Sequence, residues 1–208
     1  MEHDTTKRWS YPALALITLL LAACGSSQPP LAPLPLGAVV LAFGDSLTFG
    51  AGASAETSYP ATLEKLIGRT VIGAGVSGEV TAEGLQRLPA LLEKHHPQLV
   101  IRCHGGNDFL RRLGRPQLRS NLREMITTSR SHGAEVVLVG VPEPGLFLSA
   151  AAEYRDIATE FELPLEDEAL ARILGDRSLK SDTVHPNAAG YQQLAEAIAK
   201  VLSQTGAI

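Results

Sequence analysis

Short apolar runs alternate with longer amphipathic segments along most of this chain of 208 residues. A continuous apolar run is typical of a strand buried on both faces, whereas leucines at helical spacing indicate an amphipathic helix. Strands are predicted at 39–43, 70–72, 99–101, 135–139 and 163–165, and helices at 59–67, 81–95, 118–131, 149–161 and 187–202. Strands and helices that alternate in this way form βαβ units. The sequence therefore predicts a three-layer α/β fold, a doubly wound parallel sheet of about five strands.

The start of the chain has the pattern of an export signal. Lys7 and Arg8 precede an apolar run over 11–23, which is shorter than the roughly 20 residues that a membrane-spanning helix needs. A charged start followed by such a run predicts a signal peptide over residues 1–23. The run ends in two alanines and Cys24, which resembles the lipobox of bacterial lipoproteins. That resemblance implies cleavage before Cys24 and acylation of its thiol; the alternative is a plain signal peptide with an incidental cysteine.

Residues 24–37 are then predicted to be a lipidated, proline-rich tether, and 38–208 to be the folded domain. The lipid at Cys24 would attach the protein to a membrane of the bacterial cell envelope. Gly25, rather than Asp, follows that cysteine, which implies the periplasmic face of the outer membrane if the host has two membranes.

The net charge and the two cysteines indicate which binding partners and cross-links are not expected. The net charge is −4 and no basic stripe occurs, so a nucleic-acid surface is not expected. The second cysteine, Cys103, ends an apolar run, and we expect a buried thiol without a disulfide. No obligatory protein partner is evident.

Ligands of parallel α/β sheets bind beyond the carboxyl ends of the strands, so catalytic or binding residues are expected in the loops that follow the strands. The tetrad Gly44-Asp45-Ser46-Leu47 follows the first predicted strand and would present a serine at that edge. A Gly-Asp-Ser turn is also a good helix cap, and this reading stays open. Asp45 is expected to stabilise its own turn.

Glycines follow the second strand, at positions 73, 75 and 78. They could turn backbone N–H groups into a cleft. Their spacing also matches the Gly-x-Gly-x-x-Gly dinucleotide fingerprint. That interpretation is disfavoured, because the fingerprint normally follows the first strand of its unit and because the acidic residue at the right distance, Glu93, falls inside a predicted helix.

Two further segments of the sequence contain polar side chains that commonly act in catalysis. Asn107 follows the third strand, and an amide donor suits a developing oxyanion, although it can also satisfy its own turn. Asp182 and His185 precede the last helix, with Pro186 at its start. An Asp can accept from one ring nitrogen while the other nitrogen reaches a serine hydroxyl, but a lone His there is more often structural.

Four blocks together resemble the SGNH (GDSL) hydrolases in order and spacing, over about residues 39–203: 43–48, 75–78, 105–108 and 182–186. The resemblance implies a flavodoxin-like fold. Ser46 matches the nucleophile, His185 the general base and Asp182 the residue that orients it. The backbone N–H groups of Ser46 and Gly78 and the side chain of Asn107 match the oxyanion hole.

The same resemblance, nearest to the arylesterase, thioesterase and lysophospholipase L1 group, implies a carboxylic ester hydrolase that forms a covalent acyl-enzyme. It would act on a small ester or a lysolipid without cofactor or metal. Gly73 and Glu79-Val80 depart from the usual Asn and Asp-Thr of the second block, which affects loop shape and substrate preference. The alternatives are a transacylase that acts on envelope glycan or lipid, and a non-catalytic lipoprotein that binds glycan or lipid. His104 adjoins the predicted cleft and is expected to pack or to line it.

Overall fold

The computed structural model describes Met1 and residues 28–145 and 148–208. The signal peptide predicted over 1–23, apart from Met1, and the acylation predicted at Cys24 lie outside the described residues. The strands are β1 (Val39–Gly44), β2 (Thr70–Gly75), β3 (Leu99–Cys103), β4 (Glu135–Val139) and β5 (Leu165–Glu166). The helices are α1 (Ser46–Phe49), α2 (Tyr59–Ile67), α3 (Thr81–His95), α4 (Gly106–Leu110), α5 (Arg115–Ser131), α6 (Ala152–Phe161), α7 (Ala169–Gly175) and α8 (Ala188–Gln204).

The strands form one parallel five-stranded sheet in the order β2-β1-β3-β4-β5. This is the flavodoxin-like order, in which the chain reverses its direction of winding at β1. Helices lie on both sides of the sheet, α2 against α8 and α3 against α5. The predicted doubly wound α/β fold is confirmed. Its switch point places the loops after β1, β2 and β3 at one edge.

The core follows directly from the apolar runs. Every residue of β3 and all but the first residue of β1 and of β4 are buried, because helices cover both faces of the sheet. The amphipathic helices bury one stripe each; in α8 this stripe contains Tyr191, Leu194, Ile198 and Leu202. The predicted bounds of α2, α3 and β4 agree with the structure.

Short elements differ from the sequence prediction. Helices α1, α4 and α7 have only four, five and seven residues, which is too little for a helical period to show. The edge strand β5 lies at Leu165–Glu166 rather than 163–165, and α6 begins at Ala152 rather than at residue 149. Pairing with β4, not an apolar run of its own, defines β5.

The described part of the predicted tether, residues 28–37, lies against the domain. The backbone N–H of Leu31 donates to the carbonyl of Thr205 at 3.0 Å, and that of Leu34 donates to Ala207 at 2.8 Å. The leucine side chains are buried in the main core. The Gln28 side chain bonds the backbone of Leu165 at 2.9 and 3.0 Å. The tether is therefore docked from residue 28 onward, and the packed structure starts before residue 38. Among the described residues, no helix is long and apolar enough to cross a membrane.

Candidate active site

Ser46 is the first residue of α1, directly after β1, and lies half-buried at the carboxyl edge of the sheet. Asp45 caps this short helix, since its Oδ1 accepts a hydrogen bond from the backbone N–H of Leu47 at 3.0 Å. Gly44 permits the sharp turn, because a Cβ there would lie 1.9 Å from the carbonyl oxygen of Cys103. The backbone of the turn thus presents the serine hydroxyl to the cleft.

The segment before α8 forms a small hairpin that carries the other two predicted residues. Lys180 pairs with Pro186, and the backbone N–H of Ser181 donates to the carbonyl of His185 at 3.0 Å. At the tip, Oδ1 of Asp182 accepts from the backbone N–H groups of Val184 and His185 at 2.8 and 2.9 Å. These bonds orient the carboxylate toward the imidazole.

The three predicted side chains form a continuous hydrogen-bonded series. Oδ2 of Asp182 lies 2.7 Å from Nδ1 of His185, and Nε2 of the same ring lies 2.9 Å from Oγ of Ser46. The sequence separation of His185 and Ser46 is 139 residues, so tertiary structure alone joins them.

The protonation pattern of the series follows from the carboxylate. Partial burial raises the pKa of Asp182, but the hydrogen bonds from His185 and from two backbone N–H groups outweigh it and hold the pKa below its usual range. An ionised carboxylate only accepts hydrogen bonds, so Nδ1 of His185 carries the proton. Nε2 is then the acceptor that faces the hydroxyl of Ser46, which is the arrangement of a general base.

Donors surround the space next to Ser46. Gly78 has φ +79° and lies in a turn in which the N–H of Glu79 donates to the carbonyl of Val76 at 3.2 Å. Nδ2 of Asn107 donates to the carbonyl of Glu79 at 3.0 Å and retains a second N–H. Within the described residues, the backbone N–H groups of Ser46 and Gly78 donate no hydrogen bond. Ser46, Gly78 and Asn107 line the same cleft, so three uncharged donors are available there.

The helix that carries Asn107 is fixed by the next residue. Asp108 is buried, and its carboxylate accepts from the backbone N–H of Thr81 at 2.9 Å and from the hydroxyl of Thr81 at 2.5 Å. Asn121 donates to the same hydroxyl at 2.9 Å. This buried network, which joins α4 to the start of α3 and to α5, was not predicted from the sequence.

Asp45 lies beside the nucleophile, but its carboxyl group is 1% exposed. Burial raises its pKa to about 7, although the Leu47 hydrogen bond and the nearby His185 act in the opposite direction. Its observed contact is the helix cap, as expected.

Ser46, Gly78, Asn107 and His185 all line one cleft with a volume of about 610 Å³. The rest of its wall is mainly apolar and includes Leu47, Leu110, Val141, Pro142, Pro144, Leu148, Leu174 and Val184. The polar side chains of Ser77, Lys180 and Thr183 also line it. Leu174 belongs to α7, a helix that was not predicted from the sequence. The sequence therefore contained no indication that Leu174 lines the cleft. The cleft suits an apolar group next to a polar reacting centre.

Two residues near the site have structural roles. His104 is fully buried and packs against Phe43 rather than lining the cleft. Burial and the nearby Arg102 and Arg87 lower its pKa to about 3, so the ring is neutral. Cys103 is a buried free thiol, as predicted. In the parts of the chain that the structure describes, no three His, Cys, Asp or Glu side chains form a metal-binding group.

Gly73, Gly75 and Gly78 do not form the dinucleotide-binding turn. Gly73 and Gly75 lie within β2, and α3 begins only at Thr81, whereas the fingerprint glycines form the turn that leads into a helix.

Comparison with known proteins identifies the family of this chain. Residues 42–193 match the GDSL-like lipase/acylhydrolase family. The thioesterase 1/protease 1/lysophospholipase L1 of Escherichia coli K12 is 31% identical over 210 residues, which cover 97% of this chain and 96% of that protein. The esterase TesA of Pseudomonas aeruginosa PAO1 is 32% identical over 168 residues, covering 76% of this chain and 84% of that one.

Among solved structures, a crystal structure of TesA superposes with a TM-score of 0.72 at 30% identity and covers 80% of this chain and 99% of its own. The sequence match and the fold agree. The chain therefore belongs to the GDSL-like lipase/acylhydrolase family and is an enzyme of the hydrolase class, as its sequence predicts.

Proposed function

We propose that this protein hydrolyses carboxylic esters through a covalent acyl-enzyme on Ser46. The observation that carries the proposal is the hydrogen-bonded series from the Asp182 carboxylate through the His185 ring to the Ser46 hydroxyl, at 2.7 and 2.9 Å. This series supports the proposal, because acyl transfer by a serine hydroxyl needs a base in contact with the hydroxyl and an acid that orients the base.

In the first step, Nε2 of His185 takes the hydroxyl proton as Oγ of Ser46 attacks the ester carbonyl carbon. Asp182 stabilises the imidazolium that forms and keeps its Nδ1–H oriented. Collapse of the tetrahedral adduct breaks the bond to the alcohol oxygen, which receives the proton from His185. Water, deprotonated by the same ring, then attacks the acyl carbon of the acyl-enzyme. The bond to Oγ of Ser46 breaks, Oγ takes the proton from His185, and the carboxylic acid is released.

The developing oxyanion is bound by the backbone N–H groups of Ser46 and Gly78 and by the free N–H of Asn107. Each is held by the protein before substrate binds, so none has to reorganise during the reaction. Loss of one such donor typically reduces kcat by about 10² to 10³. No step in this mechanism needs a cofactor.

The lining of the cleft favours ester substrates whose acyl or aryl part is apolar. Its wall is largely aliphatic and its volume of about 610 Å³ can hold a medium-sized group. Relatives bear the names thioesterase 1/protease 1/lysophospholipase L1 and, in Vibrio mimicus, arylesterase. We therefore propose small aryl esters and lysophospholipids as substrates.

We also propose that the protein is exported and attached to the cell envelope by acylation of Cys24, on the strength of the lipobox-like sequence before it. Expression of the full chain with and without Cys24→Ala tests this point. We expect only the parent chain to partition into detergent phase and to carry acyl groups by mass spectrometry. Acyl-free parent protein would refute the anchor and leave the hydrolase proposal intact.

The hydrolase proposal is tested with p-nitrophenyl esters of increasing chain length and with lysophospholipid, on a chain that begins at residue 28. Ser46→Ala should abolish turnover, and acid-quenched parent enzyme should show acyl mass on the Ser46 peptide. Ser77→Ala is the matched control, since Ser77 also lines the cleft but bonds no imidazole among the described residues. Retained turnover in Ser46→Ala would refute the proposed nucleophile.

The same assay separates hydrolysis from acyl transfer. An added alcohol, such as glycerol, should leave free carboxylic acid as the main product. Predominant formation of a new ester would identify the protein as a transacylase that uses the same acyl-enzyme. Inactivity toward every ester would favour a binding protein.

A further inference from the structure

Glu79 is a buried acid next to the cleft-lining residue Gly78, and the proposed mechanism does not use it. It follows Gly78 directly and is 4% exposed. Its backbone carbonyl accepts the hydrogen bond from Nδ2 of Asn107 at 3.0 Å. One residue is thus joined to one oxyanion donor by a peptide bond and to another by a hydrogen bond. The backbone position of Glu79 therefore bears on both donors.

The side chain of Glu79 is held by Arg87 from α3. Nη2 of Arg87 donates to Oε2 at 2.7 Å, and Nε donates to Oε1. The pair is therefore a two-pronged contact, which fixes orientation as well as distance. Arg87 is itself only 25% exposed, and its guanidinium lies 4.2 Å from the centroid of the Phe43 ring.

Arg87 also binds the backbone at the ends of two strands. Its Nη2 donates to the carbonyl of Ala74 in β2 at 2.8 Å and to that of Gly44 at the end of β1 at 3.1 Å. Gly44 lies two residues before Ser46. The guanidinium therefore contacts, at the same time, the strand end that presents the nucleophile and Glu79, which is linked to the donor residues Gly78 and Asn107.

Among the described residues, Arg87 is the only cation that contacts the Glu79 carboxylate. Nε2 of His104 lies 3.4 Å from Oε2 of Glu79, but this buried ring is neutral. Gly84 allows the close packing here, since a Cβ at that position would lie 2.2 Å from Cε1 of His104. Arg87 is therefore the charged partner that compensates for the burial of Glu79.

Resting on the function proposed above, we propose that Glu79 and Arg87 are positioning residues that hold the oxyanion donors at a fixed distance from the nucleophile. They touch neither substrate nor reacting atoms. A displacement of about 1 Å at a reacting centre can cost about 10²-fold in rate. Because the oxyanion exists only in the transition state, the loss should appear in kcat and leave KM nearly unchanged.

The variants Glu79→Gln and Arg87→Lys remove, respectively, the charge of the acid and the fork of the base. We expect kcat on a p-nitrophenyl ester to fall about tenfold to a hundredfold, with KM changed less than about twofold. Glu79→Asp keeps the charge and should recover part of the loss. The control is Arg123→Lys, because Arg123 makes a similar forked contact with Glu160 on the exposed surface; its kcat should equal that of the parent.

A combined variant tests whether Glu79 acts through the oxyanion donors. If it does, Glu79→Gln added to Asn107→Ala should reduce kcat by much less than the product of the two separate losses. Independent, multiplicative losses would overturn the inference. So would an unchanged kcat in Glu79→Gln, or a lowered Tm as its only effect. If Glu79→Gln does not fold, Arg87→Lys combined with Asn107→Ala provides the same comparison of single and combined losses.

The activity of the parent enzyme distinguishes failure of the proposed function from failure of this inference. If it shows no hydrolysis that depends on Ser46, the proposed function fails and this inference fails with it. If Ser46 and Asn107 variants lose activity while Glu79→Gln and Arg87→Lys do not, only the positioning role is refuted.

Discussion

Replacing Asp45 by Asn should make the protein more stable at neutral pH, although the residue adjoins the nucleophile. The carboxyl group is 1% exposed, and burial raises its pKa from 3.8 to about 7 in the folded protein. The unfolded chain therefore ionises Asp45 at a lower pH than the folded one does. The acid is protonated in both states below pH ~4, where ionisation has no effect on stability.

The magnitude follows from this difference. Between pH ~4 and ~7 the unfolded state has released its proton and the folded state has not, so the free energy of unfolding falls by about 1.4 kcal/mol per pH unit. The accumulated loss is on the order of 4 kcal/mol at most. Asn has no proton to lose and can still accept from the N–H of Leu47 through Oδ1. The stability of Asp45→Asn relative to the parent should therefore rise with pH over this window and level off above it.

Urea denaturation of both proteins at pH 4, 5, 6, 7 and 8 measures the difference. Asp176→Asn is the matched control, since Asp176 caps a turn by accepting from the N–H of Ser178 at 2.8 Å but lies at the surface. The hydrogen bonds from Ser178 lower its pKa, so its difference from the parent should stay constant above pH ~4. A constant difference between Asp45→Asn and the parent from pH 4 to 8 would refute the reasoning.

Three further predictions follow from the packing and the site. Asn107→Ala should fold normally but lose about 10² to 10³ in kcat; turnover close to that of the parent enzyme would remove this amide from the mechanism. Gly84→Ala should lower the free energy of unfolding by about 1 to 3 kcal/mol, because its Cβ would meet His104. Gly175→Ala, with open space around its Cβ, is the control, and equal effects in urea denaturation would contradict the clash. A chain that starts at residue 38 should be about 2 to 5 kcal/mol less stable than one from residue 28, since two buried leucines are lost; identical urea midpoints would show that the docked segment contributes nothing.

Much of the fold could be predicted from the sequence because long elements carry their own pattern. The apolar run at 135–139 and the helical spacing over 81–95 each predicted an element with the bounds that the structure has. Burial on both faces of a parallel strand, or on one face of a helix, leaves a period that residues close in sequence already contain. The two residues of β5 and the four of α1 are too few to show one.

The candidate site was also predictable in outline. Ser46, Gly78 and Asn107 follow the carboxyl ends of β1, β2 and β3, where a parallel sheet collects them at one edge. The four-block resemblance assigned the roles of these residues and of Asp182 and His185, which precede the last helix. The acylation predicted at Cys24 stays a prediction, and so do the catalytic roles of Ser46, Asp182 and His185, although the structure brings these three side chains into hydrogen-bond contact.

The amino-acid sequence by itself determined the α/β class, the long elements and the residue types at the strand ends, since all of these depend on local spacing. Only the tertiary structure decided that residues 28–37 dock on the domain, that His104 is buried rather than lining the cleft, and that Arg87 binds Glu79 behind the oxyanion donors. These features are contacts between segments far apart in the chain. Their free energy depends on distances and burial that exist only once the sheet and its helices have packed together.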